Sequence, residues 1–262
     1  MNSSPKSRIV HALIVFLVVG AMQPHASGQT LGPSTAGPVM VLPHVASPGV
    51  ETVALLTAGN SIGGYKLVGV CDGLGAFDNG DGNFTVLMNH ELLASQGGPH
   101  AHGAAAGAFV SKWVIKKPTG VPGTDWAVQS GVDQIQSTVL INGTNTFARY
   151  CSGDLPAASA LFDGATGSTQ RIYMNAEENG TTGRAFAHVV TGGSAGVSYD
   201  LPRMGRMNFE NAVACPASGI KTIVCLTDDT GPGQVYIYVG TKDNAGATEP
   251  AKAGMTNGNL YG

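Results

Sequence analysis

Short apolar runs, each cut off by a turn sequence, dominate the chain and limit what it can fold into. "YKLVGV" from Tyr65, "FTVLMNHE" from Phe84, "AFVSKWVIKK" from Ala108 and "STVLI" from Ser137 are examples. Others are "RIYMNAEE" from Arg171, "AFAHVVT" from Ala185, "KTIVCLTDD" from Lys221 and "QVYIYVGTK" from Gln234, with "VMVLPHV" and "ETVALLT" nearer the N-terminus. They are rich in Val, Ile, Thr, Tyr and Phe, and "DNGDGN", "NGTN", "ENGTTG", "PASG" and "TGPG" stand between them. β-Branched and aromatic runs bounded by Gly, Asn, Asp and Pro are strand and hairpin signals. Only 12% of the residues are charged and 38 are Gly, which leaves little material for long surface helices. The chain therefore reads as all-β: a sandwich, a barrel or a propeller. Two short stretches, "AASALFDGA" around Leu161 and "ELLAS" after Glu91, have helical character, and "VPGTDWAVQSGVDQ" reads as a polar loop.

The first residues read as an export signal. "MNSSPKSR" is a basic start, Ile9 to Met22 is apolar, and Ala26 and Gly28 suit cleavage after Gly28. That apolar run is short for a bilayer span, and no later segment is apolar enough for one. Residues 29–262 are then one domain, secreted, periplasmic or on the cell surface. The final "AKAGMTNGNLYG" reads as the start of a further strand, so the expectation is a propeller cut short at its C-terminus. A net charge of −3 gives no basic footprint for nucleic acid.

Six acidic residues lie at the edges of strong strand candidates: Glu91, Glu177, Glu178, Glu210, Asp228 and Asp229. Acids at the ends of strands that share a channel can converge, and converging carboxylates need a cation. Hard oxygen ligands suit calcium, magnesium or ferric iron. Any one of these acids read alone is a solvated turn residue. "DNGDGN" lacks the spacing of an EF-hand loop and reads as a hairpin turn. His90, His100 and His102 lie near Glu91; His100 and His102 alternate in a Gly/Ala-rich loop and read as exposed loop residues or as extra ligands. "GGSAG" around Ser194 matches a nucleophile elbow in form, but no helix follows it. Asn83, Asn142 and Asn179 begin Asn-x-Thr triplets that are also good turns. The four cysteines, Cys71, Cys151, Cys215 and Cys225, allow three pairings, with free buried thiols the other reading.

"MNHE", "AEENG", "GRMNFENA" and "TDDTGPGQVYIY" occur in that order. In this the chain resembles the PhoX-type alkaline phosphatases and their exported relatives, over about its last two thirds. The resemblance implies a six-bladed β-propeller with calcium and iron in its channel, hydrolysing phosphate monoesters outside the cytoplasm. It makes Glu91, Glu177, Glu178, Glu210 and Asp228 or Asp229 metal ligands. It makes Arg184, Arg203 and Arg206 candidates to clamp phosphate oxygens, with Arg184 and Arg206 the leading pair. The family's Cys before "EEN" is Ala176 here, and its His in the next motif is Phe209. Loss of a thiolate favours calcium over iron, unless the fold supplies Cys225 or Cys71 in its place. The alternative function is a non-catalytic exported propeller with structural calcium.

Overall fold

The computed structural model describes residues 29–35, 52–119, 126–141 and 143–262. The export signal, the strand candidate at Val39 and the triplet at Asn142 lie outside the described residues.

Three antiparallel meanders form the body of the protein. The first joins Cys71–Asp78, Asn83–His90, Phe109–Lys116 and Ala127–Asp133, each paired with the next. The second joins Tyr150–Asp154, Ile172–Glu177, Ala185–Val189 and Val197–Asp200, with Ser137–Val139 added parallel to the last. The third joins Phe209–Ala214, Lys221–Asp228, Val235–Thr241 and Asn259–Tyr261. In all three, the strand earliest in its meander lies at the sheet edge, and Tyr150–Asp154 packs against both Cys71–Asp78 and Phe209–Ala214. Four-stranded meanders arranged side by side, inner strand to inner strand, give an all-β, propeller-like fold. We call the meanders blades 1, 2 and 3.

The apolar alternation of the strands fills the spaces between blades. Leu87, Val110, Ile135, Phe147, Tyr150, Tyr173 and Phe186 are buried between blades 1 and 2. Met174, Ala187, Leu201, Met204, Phe209, Val224, Leu226 and Tyr238 are buried between blades 2 and 3. A third cluster, Leu67, Trp113, Ile115 and Val128, covers the other face of blade 1. It borders a groove of about 350 Å³ whose lining carries no charged side chain.

Two expectations are corrected. "ELLAS" is not helical; Gly97, Gly98 and Pro99 follow it and leave no length to propagate a helix. The stretch read as a polar loop contains the outer strand of blade 1, Ala127–Asp133, in which Val128 and Gly131 are buried and Gln129 and Ser130 face water. Its polar side chains belong to the solvent face of a half-buried strand. The other short helix is present at Ala158–Leu161. "DNGDGN" is a hairpin turn: Asp78 accepts from the Gly80 N–H at 2.8 Å, and Gly80 and Gly82 have positive φ. Ser194 lies in the turn between two strands of blade 2, with no helix after it.

The inner strands meet through glycine. A Cβ on Gly73 would strike the backbone of Ser152 and Gly153, and one on Gly153 would strike the Tyr173 hydroxyl. That hydroxyl donates to the Gly73 carbonyl at 2.9 Å, so the contact is also hydrogen-bonded.

His100 and His102 are not exposed loop residues. His90 stacks on Phe109 at 4.2 Å, His100 on Phe109 at 4.4 Å and His102 on Phe147 at 5.3 Å. Packing beneath the loop hides rings that a Gly/Ala-rich sequence would suggest are open to water. His188, fully buried between blades 1 and 2, is hydrogen-bonded to Ser198 at 2.6 Å and Asn175 at 2.7 Å.

Two outcomes follow from this packing. Gly73→Ala lowers stability by about 2–3 kcal/mol, because its methyl would meet the Ser152–Gly153 backbone and the inner strands must part; a urea midpoint equal to wild type contradicts the close approach. Burial holds the His188 imidazole down to about 3. Because this lies below the ordinary value near 6.5, the stability due to neutral His188 is complete above about pH 6.5. It declines as pH falls from there toward about 3. NMR of the ring at pH 5 shows a neutral imidazole in the folded protein, and a ring titrating near 6.5 contradicts the assignment.

Candidate metal centre

One end of the inner strands collects the ionisable groups. Asp72 and Cys151 stand at the second positions of the inner strands of blades 1 and 2, and Glu210 at the second position of the inner strand of blade 3. Glu91 immediately follows Asn83–His90, and Glu178 immediately follows Ile172–Glu177. The ligand atoms of Asp72, Glu91 and Cys151 lie within 4.8 Å of one another, as do those of Cys151, Glu178 and Glu210. Cys151 belongs to both groups. Its thiol faces the Glu210 carboxylate at 3.6 and 3.7 Å.

Arg149 supplies positive charge. Its Nε and Nη2 donate to Glu91 Oε1 at 3.1 and 3.0 Å, and Nη2 donates to Glu178 Oε2 at 2.6 Å. The backbone is strained at two flanking points: Val70 has φ 55° and Arg149 has φ 48°, unusual for residues with a Cβ. These turns are fixed by hydrogen bonds. The Glu91 N–H donates to the Val70 carbonyl and the Glu178 N–H to the Arg149 carbonyl, each at 2.9 Å.

The electrostatics are those of crowded anions. Burial, and then the Glu91 charge, pushes the Asp72 carboxyl upward. Burial likewise raises Glu178, with Arg149 opposing and Glu91, Asp229 and Glu210 adding to the rise. Cys151 is pushed up to about 12, first by burial and then by Asp72, Glu210, Glu91 and Glu178. The thiol is therefore protonated at neutral pH in the absence of a cation.

The adjacent Glu177 and Glu178 are divided by strand alternation, which sends successive side chains to opposite sides. Glu178 enters the cluster. Glu177 is buried in an ion pair, accepting from Arg184 Nε at 2.8 Å and Nη2 at 3.0 Å. Arg184 also donates to the carbonyls of Thr144 at 2.9 Å and Thr146 at 3.1 Å, beneath the Phe147 and Phe186 rings. Its guanidinium is therefore committed to protein acceptors. Asp228 sits at a turn and accepts from the Thr230 N–H at 2.9 Å, while Asp229 is exposed with its charge felt at Glu178. Arg206 is exposed, donating to the Thr182 carbonyl at 3.2 Å. It borders a depression of about 350 Å³ lined also by Thr144, Thr146, Asn179 and Thr182. Arg203 is exposed and reaches the Gly258 carbonyl at 3.4 Å.

Of the residues expected from the sequence, Glu91, Glu178 and Glu210 are brought together. Asp72, Arg149 and Cys151 join them unforeseen. The thiol comes from Cys151 rather than from Cys225, which lies beside Cys215, or Cys71, whose Sγ faces the Val68 carbonyl. A signal was available: Cys71-Asp72-Gly73 and Cys151-Ser152-Gly153 repeat a Cys-x-Gly pattern at the start of two inner strands.

No family model matches the chain, and no curated protein matches it in sequence. Among solved structures it is similar to Pseudomonas fluorescens PhoX in complex with vanadate, a transition state analogue, with 13% identity and a TM-score of 0.42. That likeness covers 75% of this chain and 46% of the PhoX chain, so this chain spans less than half the length of that protein.

The two glutamates predict opposite responses. Glu177→Gln leaves the buried Arg184 guanidinium without its counter-charge and costs about 3–5 kcal/mol. Glu210→Gln relieves repulsion in the metal-free cluster and costs under about 1 kcal/mol or stabilises. Urea denaturation after chelation checks both; equal losses contradict the separation of roles.

Proposed function

We propose that the chain is an exported, metal-dependent phosphoesterase acting on phosphate monoesters, with its metal centre at Asp72, Glu91, Cys151, Glu178 and Glu210. The observation that carries this reading is the sharing of Cys151 between two carboxylate groups with one guanidinium among them. Asp72, Glu91, Glu178 and Glu210 contribute −4 when ionised and Arg149 contributes +1, leaving −4 + 1 = −3. That charge in a partly buried cluster calls for cations.

The donor set fits them. Carboxylate oxygens suit calcium or another hard cation, and the thiol adds the soft donor that Ala176 does not provide. Two groups sharing one residue suit a pair of cations, with Cys151 common to both. A bound di- or trivalent cation supplies Lewis-acid polarisation of a phosphoryl oxygen and neutralises developing charge. The chain's own residues do the rest. Asp72, Cys151 and Glu210 fix the site on three separate inner strands, and Glu91 and Glu178 join it from the ends of the neighbouring strands. Cys151 would hold such a cation through its sulfur and would give up its proton in doing so. Arg149, with 41% of its side chain exposed while its Nε and Nη2 hold Glu91 and Glu178, lies beside the same space and is suited to a phosphate oxygen. Arg206, at the rim of the neighbouring depression, is the second candidate for that contact.

The non-catalytic reading, with cations held only for stability, draws support from Arg184: its engagement with Glu177 removes one of the leading phosphate clamps. Metal analysis combined with turnover of p-nitrophenyl phosphate separates the two. The phosphoesterase reading expects bound metal, and turnover abolished by chelation and restored by metal. Cys151→Ser and Glu210→Gln reduce turnover about 100-fold or more and lower metal content, with unchanged circular dichroism. Bound calcium without turnover favours the structural reading. Full turnover in the chelated protein, or wild-type metal content in both variants, overturns the assigned centre.

A further inference from the structure

We propose that Cys215 and Cys225 are the site of an intrachain disulfide, which staples the leading hairpin of blade 3 and leaves Cys71 and Cys151 as thiols. The proposal goes beyond the function above and does not depend on catalysis.

Register selects this pair among the cysteines. Val213 pairs with Cys225 across the antiparallel hairpin, and the Cys215 N–H donates to the Ile223 carbonyl at 2.9 Å. Because strand side chains alternate with period two, Val213, Cys215, Ile223 and Cys225 share one face. Cys215 and Cys225 are diagonal neighbours on that face, with Sγ atoms 3.8 Å apart. Both are half-buried. A disulfide needs about 2.05 Å, so the two sulfurs must draw together from 3.8 Å for the bond to form. Cys151 is engaged elsewhere, its thiol beside Glu210, and Cys71 lies at the head of blade 1 with its thiol toward the Val68 carbonyl.

The position of the staple gives it a consequence. The strand Phe209–Ala214 carries Glu210 near its start and runs directly into Cys215; Lys221–Asp228 carries Cys225 and leads to Asp229. A bond between Cys215 and Cys225 fixes these two strands against each other at the opposite end from Glu210.

The chemistry balances with a small-molecule disulfide as oxidant. The thiolate of either cysteine attacks one sulfur of glutathione disulfide, forming a mixed disulfide and expelling one glutathione thiolate. The remaining cysteine, after losing its proton, attacks the protein sulfur of that mixed disulfide and expels the second glutathione thiolate. Two protein thiols are oxidised, one small disulfide is reduced, and the protons released end on the two glutathione thiols.

The test uses the full chain, metal-free, incubated with glutathione disulfide, then denatured, alkylated without reduction and digested for mass spectrometry. The expected result is a linked pair of peptides containing Cys215 and Cys225, with alkylation confined to Cys71 and Cys151. In Cys215→Ser, Cys225 is expected as its mixed disulfide with glutathione, unlinked to Cys71 or Cys151. Alkylation of all the cysteines after oxidation, or a predominant link through Cys71 or Cys151, overturns the proposal.

Discussion

The close approach of the inner strands governs the rest of the structure. Gly73 lies so near the backbone of Ser152 and Gly153 that no side chain fits between them, and the Tyr173 hydroxyl closes the contact. Residues one or two positions away on those strands, Asp72 and Cys151, are thereby forced into the same small space. The third inner strand adds Glu210, and the ends of the neighbouring strands add Glu91 and Glu178. Hydrophobic burial between blades supplies the free energy that holds this arrangement. The glycines make it geometrically possible. Burial, with the crowding of anions adding to it, raises Asp72, Glu178 and Cys151, and that is a cost of the geometry.

Two neighbouring glutamates show how the chain separates stability from chemistry. Glu177 points into the space behind its strand and is closed by Arg184. Backbone N–H groups of Ala148 at 3.1 Å and Arg184 at 3.2 Å complete its acceptors. Its ion pair is internal and leaves little bonding capacity over. Glu178 points the other way and shares one exposed guanidinium with Glu91. Its charge is incompletely matched, which is the condition a metal ligand requires. The same residue type one position apart acquires a different role because a strand has two sides.

Much of the fold was legible in the sequence because its strands are rich in β-branched and aromatic residues with sharp turns between them. Most strand candidates that fall within the described residues contain strands. The outer strand of blade 1 was not legible, since Gln129, Ser130 and Gly131 give it the composition of a loop; only pairing with Phe109–Lys116 makes it a strand. The burial of His100 and His102 was hidden for a related reason: it comes from stacking on Phe109 and Phe147, which are not their neighbours in sequence. At the candidate site, the acids at the ends of strongly apolar strands could be read. Asp72, Cys151 and Arg149 were harder to read, because "CDGLGAFD" and "YCSGD" are weak strand sequences in which the repeated Cys-x-Gly pattern is the signal. Their glycines serve the contact between inner strands, and that contact is tertiary.

The position of Cys151 changes what the missing thiol at Ala176 means. Ala176 is nearly fully buried in the core between blades 2 and 3, packed among Met174, Ala187 and Met207. Cys151 reaches the carboxylates from the inner strand. Held with its pKa near 12 by burial and by surrounding negative charge, it is inert toward solution oxidants as a thiol. In the proposed centre a bound cation would favour the thiolate, since its charge would offset the burial and the surrounding negative charge that keep the proton in place. Metal affinity there would then be coupled to proton release at Cys151. The carboxylates that disfavour the bare thiolate are those that, around a cation, would complete its coordination.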